Sequence, residues 1–291
     1  MSLYGTNRDD FFEQRGGCFD PYFGSMVEST IYNKGFRNGS TMSGHSKWST
    51  IKRAKGVNDV KRGQLFTKLA REIVIASREG GADAEMNVRL RLAIQKGKDN
   101  NMPGDNIERA INRGLGDSGA DALQEVVYEG YGPGGAAILL EALTDNATRT
   151  VSEVRHAFSK GGGNMGQPGC VAWNFETIGV VVLEAPGNTA EELALLAIDA
   201  GAEDFEEEQE TLEVRIAVPL FERVRKALED ANASIIRAEI SMTPKATQLL
   251  ENKQAEQTLK LMDRLEELDD IQRVYTNADF PDEVLNAYGS S

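Results

Sequence analysis

The sequence predicts an α+β protein: a three-helix N-terminal domain followed by two α/β lobes. Three observations predict it. Between Val60 and Gly114, apolar residues recur at helical spacing. After residue 117, short strand-like runs alternate with amphipathic helices and are separated by Gly and Pro turns. The longest uninterrupted apolar runs, Ala136–Leu140 and Gly179–Leu183, are strand-sized and far short of the ~20 residues that span a bilayer. At 291 residues and 40% apolar, the chain is long enough for two or three domains, each with its own core.

Residues 1–41 are rich in Gly, Asn, Ser and aromatics without a clear period and read as a poorly ordered extension. The dense part of the sequence opens at Met42, a second candidate start. Residues 43–59 read as an extended arm. Leu65, Leu69, Ile73 and Ala76 then step by four, four and three along one helical face, closed by Gly80-Gly81. A second helix carries Met86, Leu90, Ala93 and Ile94 and breaks at Asn100-Asn101 and Pro103. A short third helix carries Ile107, Ala110 and Ile111 and stops at Gly114.

Strands are expected at Val126–Tyr131 and Ala136–Thr144, joined by a Gly-Pro-Gly-Gly turn, followed by a helix over Val151–Phe158. Further strands are expected at Cys170–Phe175 and Ile178–Leu183, with a break at Pro186-Gly187. Thr189 is placed to cap a helix over Ala190–Ala200. Next come strands at Ala202–Glu207 and Thr211–Val218, a helix over Leu220–Ala231 and a strand at Ile235–Met242. A helix near Glu256–Leu268 and a strand at Ile271–Thr276 complete the pattern. Repeated βα units of this size suggest lobes of ferredoxin-like character. The expected division is an extension over 1–41, a basic helical domain over 42–118, an α/β domain over 119–187 and an acidic α/β domain over 188–291. The C-terminal helix and strand of the last are free to pack back on the middle domain.

The two cysteines, Cys18 and Cys170, are far apart and form no CxxC, which argues against a disulfide framework or a zinc ribbon. The acidic, non-apolar N-terminus is unlike a secretory signal or a transit peptide. A cytoplasmic setting, with no membrane partner, is the expectation.

The net charge of −14 hides a split. Residues 1–42 are near neutral at −1. Residues 43–116 hold 15 Lys+Arg against 8 Asp+Glu, net +7, whereas residues 117–291 hold 13 against 33, net −20. Asymmetry of this kind, more than the total, signals a nucleic-acid contact. From His45 to Arg71 there are eight cations, Lys47, Lys52, Arg53, Lys55, Lys61, Arg62, Lys68 and Arg71, against the single acid Asp59. Lys61, Lys68, Arg71 and Arg78 fall on one side of the first helix, away from its apolar stripe. Lysine and arginine read a phosphate backbone by displacing condensed counterions. Ser46, Ser49 and Thr50 are able to donate to phosphate oxygens, and Trp48 offers a face on which a base stacks. The bland alternative is a solvated basic face with Trp48 tucked into the first helix pair.

The stretch Met42-Ser-Gly-His-Ser-Lys-Trp-Ser-Thr-Ile-Lys-Arg-Ala-Lys resembles the opening of the YebC/PmpR family. Further matches are Phe66-Thr-Lys-Leu-Ala-Arg-Glu-Ile, Asn101-Met-Pro-Gly-Asp-Asn-Ile-Glu-Arg-Ala-Ile, Tyr128-Glu-Gly-Tyr-Gly-Pro-Gly-Gly, Asn164-Met-Gly-Gln-Pro-Gly-Cys-Val-Ala-Trp and Val274-Tyr-Thr-Asn. The resemblance runs from Met42 to about Asp279. It implies a three-domain α+β protein of the cytoplasm. It also implies a probable transcriptional regulator, DNA binding being known for some members, while others, including a mitochondrial translational activator, act at the ribosome.

The run Gly161-Gly162-Gly163-Asn164-Met165, continuing to Gly169, is a second candidate contact loop, because glycine leaves the backbone bare for close approach. The alternative is a long mobile connection. No GxxxxGK[ST] motif occurs. His45 and His156 have no partner at metal-ligand spacing, and His156 reads as a partly exposed helix residue. The acidic run Glu203–Glu210 lacks EF-hand spacing and reads as a charged edge strand.

The expectation is therefore a non-catalytic nucleic-acid-binding regulator with no cofactor, metal or small-molecule substrate. Its contacts would come from His45, Ser46, Lys47, Trp48, Lys52, Arg53, Lys55, Lys61, Arg62, Lys68 and Arg71. DNA is the first expected partner. Ribosomal RNA, gripped by a ribosome-associated translation factor, is the alternative, and a protein-binding scaffold is a third class.

Overall fold

A computed structural model describes Trp48 and residues 59–116, 123–187, 189–208 and 210–290. The helical domain consists of α1 (Asp59–Gly80), α2 (Val88–Asp99) and α3 (Gly104–Leu115). The expected stripe is buried: Leu69, Ile73 and Ala76 of α1 pack with Leu90 and Ala93 of α2 and with Ile107 and Ala110 of α3. Gly114 lets α3 lie against α1, because an added Cβ would come within 2.5 Å of the Val74 carbonyl. Asn87 joins α1 to α2. Its Oδ1 accepts from Leu90 N–H at 3.0 Å, while its Nδ2 donates to the carbonyls of Ala76 and Gly81 at 2.7 and 2.9 Å. Met86 departs from expectation: it precedes the helix and is 84% exposed. Leu123 and Leu143, from the next lobe, complete this core.

The chain continues as β1 (Gln124–Tyr131), β2 (Ala137–Thr144), α4 (Ala147–Lys160) and the short β3 (Asn164–Met165). Then come β4 (Phe175–Glu184), α5 (Thr189–Ala200), β5 (Asp204–Glu208), β6 (Thr211–Ile216), α6 (Phe221–Asp230) and β7 (Ile235–Pro244). The last stretch holds β8 (Gln248–Leu249), α7 (Asn252–Glu266), β9 (Ile271–Thr276), β10 (Ala278–Asp279) and α8 (Asp282–Ser290). No described helix is long and apolar enough to cross a membrane.

Two four-stranded antiparallel sheets organise this region, in the orders β3-β1-β2-β9 and β5-β6-β4-β7. The second sheet, with α5 and α6, follows β-α-β-β-α-β order, the ferredoxin-like arrangement. Val181 and Leu183 of β4 pack there with Ala190, Ala194 and Ala197 of α5 and with Phe221, Val224 and Leu228 of α6.

The sheets divide the chain differently from the sequence reading. Strand β4, placed with the middle domain by the boundary at 187, is a central strand of the other lobe. That lobe, 175–244, is inserted into the middle one. β9 then returns to pair with β2, with Leu140 opposite Val274. The strand expected at Cys170–Phe175 is instead a turn and a short 3-10 segment, Ala172–Asn174. The acidic run lies on β5, at a sheet edge, where Glu206 is ion-paired to Arg215 at 2.6 Å. Helix α8 was not foreseen. It buries Val284 and Leu285 against the middle-lobe core, and Tyr288 donates its hydroxyl to Asp263 Oδ1 at 2.7 Å.

Candidate nucleic-acid interface

Trp48 corrects the sequence reading first. It is 1% exposed and sits in the middle-lobe core with Val154 and Phe158 of α4, Leu259 and Met262 of α7, and Val284 and Leu285 of α8. It presents no face to a base. It is not tucked into the first helix pair either. A residue at the head of the chain's basic segment is thus anchored beside its last helix.

The cations of α1 divide. Lys68 Nζ donates to the Glu266 carbonyl at the end of α7. Arg71 donates to the Asp269 carbonyl at 2.6 Å and is ion-paired to the buried Asp270 at 3.0 Å. Arg78 donates to the Leu123 carbonyl at 3.0 Å. Lys68 and Arg71, both expected to contact nucleic acid, thus have their side chains engaged with the acidic body. The cations of α2 engage both α1 and that body. Arg89 is ion-paired to Glu72, Glu79 and Glu125, Arg91 to Glu222 at 3.4 Å, and Lys96 to Glu239 at 3.9 Å. Much of the described basic charge serves to dock the helical domain.

Arg62 is exposed, with its guanidinium 5.8 Å from the Phe66 ring centroid, and Lys98 is exposed at the end of α2. His45, Ser46, Lys47, Lys52, Arg53 and Lys55 lie outside the described residues, as does the Lys61 side chain.

Asp270 is the junction. It is 2% exposed and accepts from Thr150 Oγ1 at 2.6 Å, Arg149 at 2.7 Å, Arg71 at 3.0 Å and Thr144 Oγ1 at 3.1 Å. Burial alone would raise its pKa, but these donors outweigh it and hold the carboxyl below the ordinary aspartate range.

The Gly-rich loop is tied down rather than a loose connection. Strand β3 pairs Asn164 with Tyr131 and Met165 with Gly130 on β1. Glu129, 6% exposed, accepts from the N–H groups of Gly169, Val171 and Ala172 at 2.6, 2.7 and 2.8 Å. This is why Cys170–Phe175 is not a strand: its amides turn to a carboxylate. Burial opposes the Glu129 charge, yet the three amides prevail and lower its pKa. Gly161 and Gly163 serve packing, since a Cβ would come within 2.7 Å of Leu261 or 2.6 Å of the Tyr131 carbonyl. Gly162 and Asn164 are exposed, and Met165 is half-buried. Glu129→Ala orphans three amides at a buried site and is expected to cost on the order of 3 kcal/mol. Thermal unfolding checks this, and an unchanged Tm would show that the carboxylate does not hold the loop.

At the loop's end, Trp173 is 70% exposed and donates its Nε1–H to the Cys170 carbonyl at 2.9 Å. Tyr131 donates to the same carbonyl at 2.8 Å. Both aromatics fall in motifs that carry the family resemblance, but the sequence assigns neither a role. His156 is exposed on α4. Among the described residues, no group of three His, Cys, Asp or Glu is placed to hold a metal.

Two family models match, one described as the TACO1/YebC protein N-terminal domain over residues 46–117 and one as the TACO1/YebC second and third domain over residues 123–278. The chain belongs to the TACO1/YebC family. Its relatives include a probable transcriptional regulatory protein of Dehalococcoides mccartyi, 54% identical over 249 residues, covering 86% of this chain and 99% of that one. A protein of the same description from Pelotomaculum thermopropionicum is 51% identical over 83% of this chain and 100% of its own length. The crystal structure of a conserved hypothetical protein from Aquifex aeolicus is similar at TM-score 0.70 and 44% identity, covering 77% of this chain and 92% of that one. The helical N-terminal domain and antiparallel lobes are thus those of the TACO1/YebC fold.

Proposed function

We propose that this TACO1/YebC member is a non-catalytic, DNA-binding transcriptional regulatory protein that grips the phosphate backbone through residues 43–62. One observation carries the reading. Lys68, Arg71 and Arg78 of α1 and Arg89, Arg91 and Lys96 of α2 each reach a group after residue 117, whereas residues 43–58 hold Lys47, Lys52, Arg53 and Lys55 without a single Asp or Glu. Trp48, within that segment, is itself buried in the core. Arg62, exposed near the start of α1, extends the same charge. The relatives' description as probable transcriptional regulatory proteins supports the reading.

Deleting residues 43–71 would remove Trp48 and the Leu69 packing along with the charge, so point variants are the proper test. Replacing Lys52, Arg53 and Lys55 together by alanine is expected to weaken duplex binding by tenfold or more at moderate salt, with the melting temperature unchanged. Crosslinking in cells followed by sequencing of the bound nucleic acid should recover chromosomal DNA. Recovery of ribosomal RNA in its place would reject the DNA assignment.

A further inference from the structure

We propose that Tyr131 and Trp173 form a second, rigid contact site for unpaired bases of a nucleic acid, separate from the basic arm. The inference rests on the reading of this chain as a nucleic-acid binder and adds a site for single strands.

Trp173 is an unusual surface residue, since so large an apolar ring rarely stays 70% exposed. It is not loose. Its indole N–H and the Tyr131 hydroxyl both donate to the Cys170 carbonyl, at 2.9 and 2.8 Å. That carbonyl belongs to the turn whose neighbouring amides are held by Glu129. The polar tips of both aromatics are thus satisfied inward, and only ring surface remains to be covered. A partner gains by stacking and loses little in ordering the platform.

Charge selects the partner. Residues 117–291 contain 33 Asp+Glu, yet the stretch Val154–Phe175, which leads to and includes Trp173, contains none and carries Arg155 and Lys160, both exposed. Lys245, also exposed, is brought beside the platform because its N–H donates to the Asn174 carbonyl at 2.7 Å. An aromatic surface with Lys245 beside it, at the end of a chain stretch that carries Arg155 and Lys160 and no acid before Glu176, suits bases on a phosphate chain. The site also stands apart from the α1 junction. Tyr131 ends β1, whereas Leu123, next to the start of β1, receives Arg78. The eight residues of β1 separate the two ends by about 26 Å.

The test uses the full chain, whose two tryptophans are Trp48 and Trp173. With Trp48 at 1% exposure, contact quenching reports Trp173. Titration with ~20-nucleotide oligo-dT or oligo-U should quench the emission, and Trp48→Phe should leave that quenching in place. In parallel, anisotropy of labelled oligonucleotide should show Trp173→Ala weakening single-strand binding about tenfold, with Trp173→Phe recovering most of it and duplex affinity unmoved. Oligonucleotide that binds without quenching, or Trp173→Ala with unchanged single-strand affinity, overturns the platform, whatever partner then covers it. The Lys52/Arg53/Lys55 alanine variant keeps the two readings apart. If it binds duplex as before while Trp173 is still quenched by single strands, the arm reading fails and the platform stands.

Discussion

Trp48→Ala is expected to lower the stability of the chain by about 3–5 kcal/mol, the usual cost of emptying a buried aromatic site. The indole belongs to a buried cluster built from side chains of α4, α7 and α8 and of strands β2 and β9, and removing it leaves a cavity in that core. Tyr288 would also lose a hydrogen-bonding neighbour. The loss should not be confined to stability. In a variant still folded at low temperature, duplex affinity should drop although no cation has been removed, because Trp48 belongs to the same basic segment of the sequence. Trp48→Phe, which refills most of the volume, should recover the greater part of both. Chemical denaturation with a parallel binding titration measures the pair. A surface tryptophan that stacks on DNA would behave otherwise, with Trp48→Ala leaving the unfolding midpoint where it was.

The second large effect belongs to Asp270. Replacing it by Asn keeps the shape but removes the charge that Arg71 and Arg149 share, and presents an amide N–H₂ where donors now point. The expected cost is on the order of 3 kcal/mol, because a buried hub loses its charge while its partners remain. Arg71 comes from α1 and Arg149 from the start of α4, so the helical domain should detach more readily from the middle lobe. Faster amide exchange across α1 would report that detachment.

The pH dependence has a definite sign. The folded pKa of Asp270 lies below the unfolded value of about 3.9. Its contribution is therefore fully present above that unfolded value and fades as pH falls through it toward the folded one. Glu129, also lowered, acts in the same direction from an unfolded value of about 4.3. The intact chain should lose stability on acidification below about pH 4 more steeply than Asp270→Asn does. Parallel acid-unfolding curves for the two proteins would contradict the assignment of Asp270 as an ionised hub.

Periodicity made the helices legible. The Leu69, Ile73 and Ala76 face and the Ile107 and Ala110 face are buried as their spacing demands. The strand at Ile271–Thr276 was equally plain, and its Ile271, Val274 and Tyr275 are buried. What the sequence concealed depends on partners far along the chain. Lys68 and Arg71 look like solvent-facing cations on a helix, and their acceptors lie 198 and 199 residues away. Glu129 sits in a strand as one more acidic residue, and its meaning comes from amides about 40 residues on. Strand β4 reads the same in either lobe, since a Val-rich run carries no mark of which sheet it joins. Helix α8 escaped because it is short and ends in Gly-Ser, with only Val284 and Leu285 to suggest a buried side. The charge split between the two halves was visible and correct in sign. Its use was only partly visible, for much of the positive charge in α1 and α2 is met by the protein's own acidic half.

The most direct measurement is therefore the salt dependence of duplex DNA affinity for the intact chain and for the Lys52/Arg53/Lys55 alanine variant. If the arm displaces counterions from the backbone, the logarithmic slope of the variant should be shallower by about 2.7, at ~0.9 for each phosphate that is no longer neutralised. Equal slopes for the two proteins would mean that these three cations do not touch the phosphates, and the arm would not be the nucleic-acid grip.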